Sequence, residues 1–244
     1  MNLVNQSFEI GLEVVHEIKT TQAEALEQAG KAIAHAHAKG HRFFVTGSGH
    51  SHSVAEEFYG RAGGLAFVVP MMPTELTLTE HPTKSSYIEN LDGYGKILVE
   101  LFDIQSDDVI LIASNSGRNP YPVEVAVEAK LRGATVIAIT NVKHSMQTEP
   151  RNAHHKRLLE VADIVIDNCG QLGDAATYFE GIDTPMYPTS SIANAFICGA
   201  ISVVCASELA TLGQPVEVFI SANVDGGFEK NEALIKKYAR LYTK

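Results

Sequence analysis

Apolar residues recur mostly at four-residue steps near the start of the chain, and glutamates stand between them. The positions that follow this spacing are Ile10, Val14, Ile18, Ala25, Ala29, Ile33 and His37. Such spacing gives a helix one apolar face and one polar face. The pattern predicts one long N-terminal amphipathic helix over about residues 8–38, with Gly40 after its end.

Beyond this helix, short apolar runs rich in β-branched residues alternate with helical patterns. The runs that predict strands are residues 43–46, 65–69, 109–113, 136–140 and 164–166. The segments that predict helices are 54–59, 94–102, 122–132, 156–161, 190–212 and 228–242. Regular alternation is typical of a parallel sheet covered by helices on both faces. The chain is therefore predicted to be α/β, with a three-layer, doubly wound, flavodoxin- or Rossmann-like sheet.

Two of the predicted strands end in loops rich in glycine and hydroxyl residues, and each loop leads into a predicted helix. One loop is Gly47-Ser48-Gly49-His50-Ser51-His52-Ser53, and the other is Ser114-Asn115-Ser116-Gly117-Arg118-Asn119. Hydroxyls, an amide, glycines and the free N–H groups of a helix start suit a phosphate or another small anion. Loops at the carboxyl ends of parallel strands are also where such sheets bind ligands. We expect the two loops to form one anion site.

Neither loop carries a nucleotide motif. The first loop has His52 where a dinucleotide fingerprint has its third glycine, and Pro70 and Met71 stand where the fingerprint needs an acidic residue. The chain also lacks the GxxxxGKS or GxxxxGKT sequence of a P-loop. The sequence therefore argues against a nucleotide site at these loops.

Three stretches are less regular. Residues 72–93 are predicted to be a long excursion over the sheet, partly helical near residues 75–78, that forms a lid or wall of the site. Residues 141–152 are predicted to be a polar loop, and residues 168–186 a second wall of the site.

The hydroxyl cluster at 189–191 opens the apolar helix 190–212, which is either a core helix or part of a dimer seam. No linker or repeat interrupts the chain, so one domain over residues 1–244 is expected.

Composition narrows the possible partners. The 244 residues are 45% hydrophobic and carry a formal net charge of −10. Nucleic acids and anionic membranes require clustered Lys and Arg, so neither is an expected partner. The three cysteines form no CxxC pair. We expect no signal peptide, no apolar run near the roughly 20 residues of a spanning helix, and a cytoplasmic protein.

The motifs together resemble the SIS (sugar isomerase) domain over roughly residues 8–212. The runs that carry the resemblance are residues 46–51 with Ala55-Glu56-Glu57, residues 114–121, and residues 136–141. The small, single-domain phosphosugar isomerases of this family are the most similar. Residues 55–61 are similar to phosphoheptose isomerases, and residues 116–121 to N-acetylmuramic acid 6-phosphate etherases. The resemblance implies a phosphosugar ligand and a homodimer or homotetramer with sites near the subunit interface.

The loops and the resemblance assign the binding residues. Those expected to bind the phosphate are Gly49, Ser51, Ser114, Asn115, Ser116 and Asn119. Those expected to contact the sugar are Ser48, His50, Ser190 and Ser191. At the position of Asn119 the family more commonly has Thr or Ser.

Three side chains are candidates for proton transfer, which both sugar isomerisation and ether elimination require. Glu57 lies in the helix opened by the first loop and is similar in position to the base of phosphoheptose isomerases. Glu89 resembles an acid of the etherases. His52 flanks Ser51 and titrates near neutral pH.

No cofactor is expected and no metal ligand is assigned, because the His50-x-His52 pair is weak and nothing in the spacing requires zinc. The expected function is an aldose–ketose isomerase acting on a sugar phosphate. The alternatives are an amino-sugar phosphate etherase or lyase and a non-catalytic phosphosugar sensor. A DNA-bound regulator is disfavoured, since the first forty residues show no helix-turn-helix.

Overall fold

A computed structural model describes residues 2–242. The helices are α1 (Leu3–Thr21), α2 (Ala23–Ala38), α3 (Ser53–Phe58), α4 (Lys84–Ile88), α5 (Tyr94–Leu101), α6 (Pro120–Leu131), α7 (Val142–Met146), α8 (Leu158–Val161), α9 (Ser190–Thr211) and α10 (Gly227–Tyr242). The strands are β1 (Phe43–Gly47), β2 (Val68–Met71), β3 (Val109–Ala113), β4 (Thr135–Thr140), β5 (Ile164–Asp167), β6 (Ala175–Thr177) and β7 (Met186–Pro188).

The first five strands form one parallel sheet in the order β2-β1-β3-β4-β5. Strand β1 pairs with β3 so that Gly47 lies beside Ala113, and both strands end at the same edge. From β1 the chain crosses outward to β2, and it then returns past β1 to form β3. The sheet therefore reverses its winding direction between β1 and β3, where doubly wound sheets bind ligands. The predicted fold class is confirmed.

Alternate side chains of the strands feed two separate cores, because successive strand residues point to opposite faces. Phe43 and Val45 pack with α1, α2, α3 and α9 in the first core. Phe44 and Ile110 pack with α5, α6 and α8 in the second core. Helices thus cover both faces of the sheet.

The N-terminal helix differs from the prediction, because it consists of two helices with Gln22 between them. The Thr20 and Thr21 hydroxyls donate to carbonyls of the preceding turn, which competes with continued helix. The Gln22 side chain accepts a hydrogen bond from the N–H of Asp167 at 3.0 Å. The break therefore fastens this helical pair to the end of β5.

Three further segments also differ from the elements that the sequence predicts. Strand β2 begins at Val68 and includes Pro70, which an edge strand tolerates because one side of its backbone needs no ladder partner. The polar stretch 141–152 contains helix α7, which Asn141 caps by accepting from the His144 N–H at 2.8 Å. Strands β6 and β7 form an antiparallel hairpin within the irregular stretch that follows β5.

Helix α9 corrects the expectation that no apolar run approaches spanning length. Within residues 2–242 it has the length and composition of a membrane-spanning helix. Its inner face, however, carries Ala193, Ile197, Ile201 and Cys205 into the first core. The helix is therefore built into this domain beside the sheet.

Helix α10 is fastened by an aromatic and ionic cluster around His37. The His37 ring stacks on Phe67 with 3.7 Å between ring centroids, and Lys237 donates to Glu217 at 2.6 Å. Burial lowers the pKa of His37; Glu217 opposes this shift and Lys237 adds to it. The folded chain thus favours a neutral His37.

We expect acidification to destabilise the protein through His37. As pH falls below the ordinary histidine pKa of about 6.5, the unfolded chain takes up this proton before the folded chain does, so the free energy of unfolding decreases. His37→Phe keeps an aromatic ring and removes the titration. Thermal melts from about pH 8 to about pH 5.5 should therefore show a smaller fall in Tm for the variant, and identical falls would contradict this role.

Candidate functional site

The loops after β1 and β3 lie side by side at the carboxyl edge of the sheet. They begin at Ser48 and Ser114, directly after the paired residues Gly47 and Ala113. The chain reverses its winding direction here, and doubly wound sheets bind ligands in the cleft between the two loops at such a reversal. The structure thus brings together the two loops that the sequence singled out.

The first loop is folded tightly against its own backbone. A Cβ atom at Gly47 would lie 2.4 Å from the carbonyl oxygen of Ser51, so only glycine fits. The Ser51 N–H donates to the Ser48 carbonyl at 3.1 Å, and the His52 ring hydrogen-bonds to the Gly49 carbonyl. These bonds leave the Ser51 hydroxyl without a hydrogen-bond partner within the described chain, so it is available to a ligand.

The second loop uses part of its polar set to hold its own shape. The Ser114 hydroxyl accepts from the Gly117 N–H at 3.2 Å, and the Asn115 side chain accepts from the Asn168 amide at 2.9 Å. The Ser116 hydroxyl has no hydrogen-bond partner among residues 2–242. Among the predicted phosphate ligands of this loop, Ser116 is thus the hydroxyl left available.

Glu89 lies against both loops. Its carboxylate accepts from the Asn119 side-chain amide at 2.9 Å, and its carbonyl accepts from the Tyr121 N–H at 3.0 Å. Burial raises the pKa of Glu89, while the Ser48 hydroxyl and the Asn119 amide partly offset this shift. A carboxyl group whose pKa lies above its ordinary value is a stronger base when ionised and a suitable proton donor when protonated.

Three buried polar atoms of the two loops have no hydrogen-bond partner of good geometry among residues 2–242. They are the Ser48 hydroxyl, the Nε of Arg118 and the side-chain oxygen of Asn119. Buried polar atoms are nearly always paired, and leaving one unpaired costs about 1–3 kcal/mol. Three of the six such atoms found in the described chain thus lie in these loops, where a polar ligand or water would pair with them.

The excursion that carries Glu89 is fastened at several points. Leu76 is fully buried in the second core. The buried carboxylate of Glu124 accepts from the N–H groups of Gly93 and Gly95 at 2.6 and 3.0 Å. A Cβ at Gly95 would lie 2.7 Å from the Cβ of Glu124, so glycine is required for this approach. Glu89 is therefore held in place from both sides along the chain.

The other candidate acid–base residues make their contacts elsewhere. Glu57 pairs with Arg61, which lies in the bend after α3, and borders a groove between α3 and α9. His52 lies 3.3 Å from Glu56 and binds its own loop. His50 is exposed. The contacts that these side chains make do not join the Glu89 cluster.

The third hydroxyl cluster is already occupied by a carboxylate of the chain itself. Asp174 accepts from the Ser190 hydroxyl at 2.8 Å and from the N–H groups of Thr189 and Ser190 at 3.0 and 2.7 Å. It thereby pairs two N–H groups at the start of α9, those of Thr189 and Ser190. Ser191 is exposed. An anion binding at Ser190 would have to displace Asp174.

Sequence reasoning did not assign Arg118 and Asp174. Arg118 stands between the loop residues Gly117 and Asn119. A cationic side chain within a hydroxyl-rich loop is a sequence signal that could have identified it as an anion-binding residue. No local pattern marks Asp174, because its contact with α9 depends on the hairpin between them. Within residues 2–242, no three His, Cys, Asp or Glu side chains lie close enough together to hold a metal ion.

Comparison with known proteins gives matches over most of the chain. A family model described as the SIS domain matches residues 8–141. A UPF0309 protein of Halalkalibacterium halodurans is 40% identical over 227 residues, which cover 93% of this chain and 94% of that protein. A UPF0309 protein of Shouchella clausii is 38% identical over 239 residues, with coverage of 98% and 97%.

Solved structures share the fold. A phosphoheptose isomerase from Francisella tularensis has a TM-score of 0.53 at 19% identity and covers 85% of this chain and 100% of its own. The sugar isomerase domain of an RpiR transcription factor from Sphaerobacter thermophilus has a TM-score of 0.51 at 18% identity, with coverage of 98% and 99%. At these identities the likeness concerns architecture alone.

Proposed function

Because the chain belongs to the SIS domain family and to its UPF0309 group, we propose that it binds a sugar phosphate between the loops after β1 and β3 and isomerises it. The observation that carries the proposal is Glu89, a partly buried carboxyl group with a raised pKa that contacts Asn119 of the second loop and Ser48 of the first. A phosphosugar supplies both the anion for the loop hydroxyls and hydroxyl groups for the unpartnered atoms. The phosphoheptose isomerase among the structural relatives agrees with this ligand class.

The phosphate is bound by hydroxyl and N–H groups of the two loops. Ser51 and Ser116 present available hydroxyls, and Gly49 lets the backbone approach closely. Charge-assisted hydrogen bonds of this kind contribute about 1.5–3 kcal/mol each. Arg118 adds a cation to the same loop, so the site does not depend on lysine.

Glu89 performs the proton transfer. Its ionised carboxylate takes the proton from the carbon next to the sugar carbonyl, which leaves a carboxylic acid and an enediolate, and the acid returns that proton to the former carbonyl carbon. The hydroxyl proton moves to the former carbonyl oxygen, so the reaction exchanges aldose and ketose without an external oxidant. The Asn119 amide holds the Glu89 carboxylate during both steps.

Etherase activity is the second candidate, because it also begins with proton abstraction beside a carbonyl or imine and Glu89 resembles an etherase acid. Mass and NMR analysis of products separates the two reactions. Isomerisation keeps the mass and incorporates solvent deuterium at carbon, whereas elimination releases the 3-substituent. A chain that binds the sugar phosphate without either change acts as a sensor.

A thermal-shift screen of pentose, hexose, heptose and amino-sugar phosphates tests the binding step. We expect at least one of these to raise the Tm, because a ligand that binds only the folded chain stabilises it. Ser116→Ala should weaken binding about tenfold or more, since it removes one anion contact. Ser106→Ala, before the opposite end of β3, is the matched control. No Tm shift from any phosphate at millimolar concentration would refute the proposal.

A further inference from the structure

A buried tyrosine at the start of α6 lies outside the proposed chemistry. Tyr121 is the second residue of this helix, and its side chain is fully buried. Burial raises the pKa of the Tyr121 hydroxyl, while a hydrogen bond to Thr46 opposes this shift and Tyr94 adds to it. The hydroxyl therefore keeps its proton and acts as a hydrogen-bond donor. Since buried polar groups are nearly always paired, its partner shows what it connects.

The partner of the Tyr121 hydroxyl is the hydroxyl of Thr46, which lies 2.5 Å away. Thr46 stands directly before Gly47, the last residue of β1. The Thr46 hydroxyl donates its single proton to the carbonyl of Met71 on β2 at 2.7 Å, so Tyr121 donates to Thr46. This bond joins the helix after the second loop to the strand before the first loop, across 75 positions of the chain.

The main chain of Tyr121 makes a second connection, to the segment that carries Glu89. Its N–H donates to the Glu89 carbonyl at 3.0 Å, and its ring lies tilted against the Tyr94 ring with 5.9 Å between centroids. The side chain of Glu89 contacts Ser48 of the first loop and Asn119 of the second loop. Tyr121 is therefore bonded both to the strand that leads into one loop and to the segment of the proposed base.

We propose that Tyr121 is a positioning residue of the candidate site, whose hydroxyl fixes the distance between the first loop and Glu89 through Thr46. The proposal rests on the proposed isomerisation, in which Glu89 must meet a sugar whose phosphate the loops hold. Proton transfer depends steeply on position, since a misplacement of about 1 Å can lower a rate ~10²-fold. The Ser51 and Ser116 hydroxyls do not depend on Tyr121. Loss of its hydroxyl should therefore lower the rate of the chemical step more than the affinity.

The Tyr121→Phe variant tests this proposal, because it removes the hydroxyl, keeps the ring and leaves Thr46 bonded to Met71. We expect kcat for the sugar phosphate to fall about 10-fold or more, with an unchanged dissociation constant by calorimetry. Tyr94→Phe is the matched control, since it removes the same atom from the neighbouring ring, where that hydroxyl has no hydrogen-bond partner among residues 2–242. An unchanged kcat in Tyr121→Phe, an equal loss in Tyr94→Phe, or a loss of affinity as large as the loss in kcat would overturn the proposal.

Substitutions at Thr46 test the same bond from its other side. Thr46→Ser keeps the hydroxyl and should keep the wild-type kcat, whereas Thr46→Val removes it and should lower kcat at least as far as Tyr121→Phe does. Two residues that act through one shared bond have non-additive effects. Adding Tyr121→Phe to Thr46→Val should therefore lower kcat little further, and additive losses would contradict the proposed connection.

Hydrogen exchange tests the connection without any sugar phosphate. Segments that open locally exchange their amide protons faster than the rest of the fold. We expect Tyr121→Phe to speed exchange in residues 48–53 and 84–93, while β4 keeps its wild-type protection. Unchanged exchange in both segments, or equal acceleration in β4, would overturn the role of Tyr121. An inactive wild type would refute the proposed isomerisation alone, because exchange still decides whether Tyr121 holds the two segments together.

Discussion

Glu89→Gln is expected to lower turnover of the sugar phosphate by about 10²–10⁴-fold, the usual contribution of a positioned acid or base. The amide has the size of the carboxyl group and can still accept from Asn119. Binding of the sugar phosphate should therefore survive, which thermal shift or calorimetry measures alongside the rate. Glu100→Gln, an exposed position on α5, is the matched control.

The Glu57→Gln variant tests whether Glu57, rather than Glu89, is the base. Glu57 is bound by Arg61 at the α9 groove, whereas Glu89 touches both loops. Loss of turnover in Glu57→Gln together with normal turnover in Glu89→Gln would assign the base to Glu57 and refute the role proposed for Glu89.

The same Glu89→Gln variant should be more stable than wild type near neutral pH. The pKa of Glu89 is raised by burial, so the folded chain holds this proton to a higher pH than the unfolded chain does. Stability from this group is complete below the ordinary glutamate pKa and is lost as pH rises through the raised value. The difference in Tm between variant and wild type should shrink as pH falls toward about 4.3.

Gly47→Ala is expected to abolish sugar phosphate binding and to destabilise the fold by about 1–3 kcal/mol, the usual range for overpacking against fixed structure. The added Cβ would lie 2.4 Å from the backbone oxygen of Ser51, which belongs to the loop and cannot move away alone. The loop would open and Ser51 would leave the cleft. Denaturant unfolding and ligand titration measure the two effects.

Gly49→Ala provides the matched comparison within the same loop. Gly49 has a φ of +56°, and an added Cβ would meet only the Ser85 hydroxyl at 3.7 Å. Alanine there carries backbone strain of about 1 kcal/mol without a collision. Equal effects of the two substitutions would show that backbone conformation, not the close approach at Gly47, shapes the loop.

The sequence predicted the sheet and both loops because neighbouring residues along the chain encode each of these elements. Runs of apolar β-branched residues such as Val109–Ala113 define buried strands, and a change to glycine and hydroxyl residues defines the turn into the next helix. The SIS resemblance from these motifs is confirmed by the family match and the fold. The break at Gln22 was missed because both helices keep the same apolar spacing across it.

Sequence alone determined that this chain is an α/β protein of the SIS family. It also determined that two loops rich in glycine and hydroxyl residues lie at one edge of the sheet. Only the tertiary structure decided which carboxylate reaches those loops. The sequence favoured Glu57 over Glu89, but α3 turns Glu57 toward Arg61 and α9, whereas the Tyr121 and Glu124 contacts hold the segment of Glu89 against the loop after β3. The contacts that hold the segment of Glu89 join residues more than 30 positions apart, and no local pattern records such pairings.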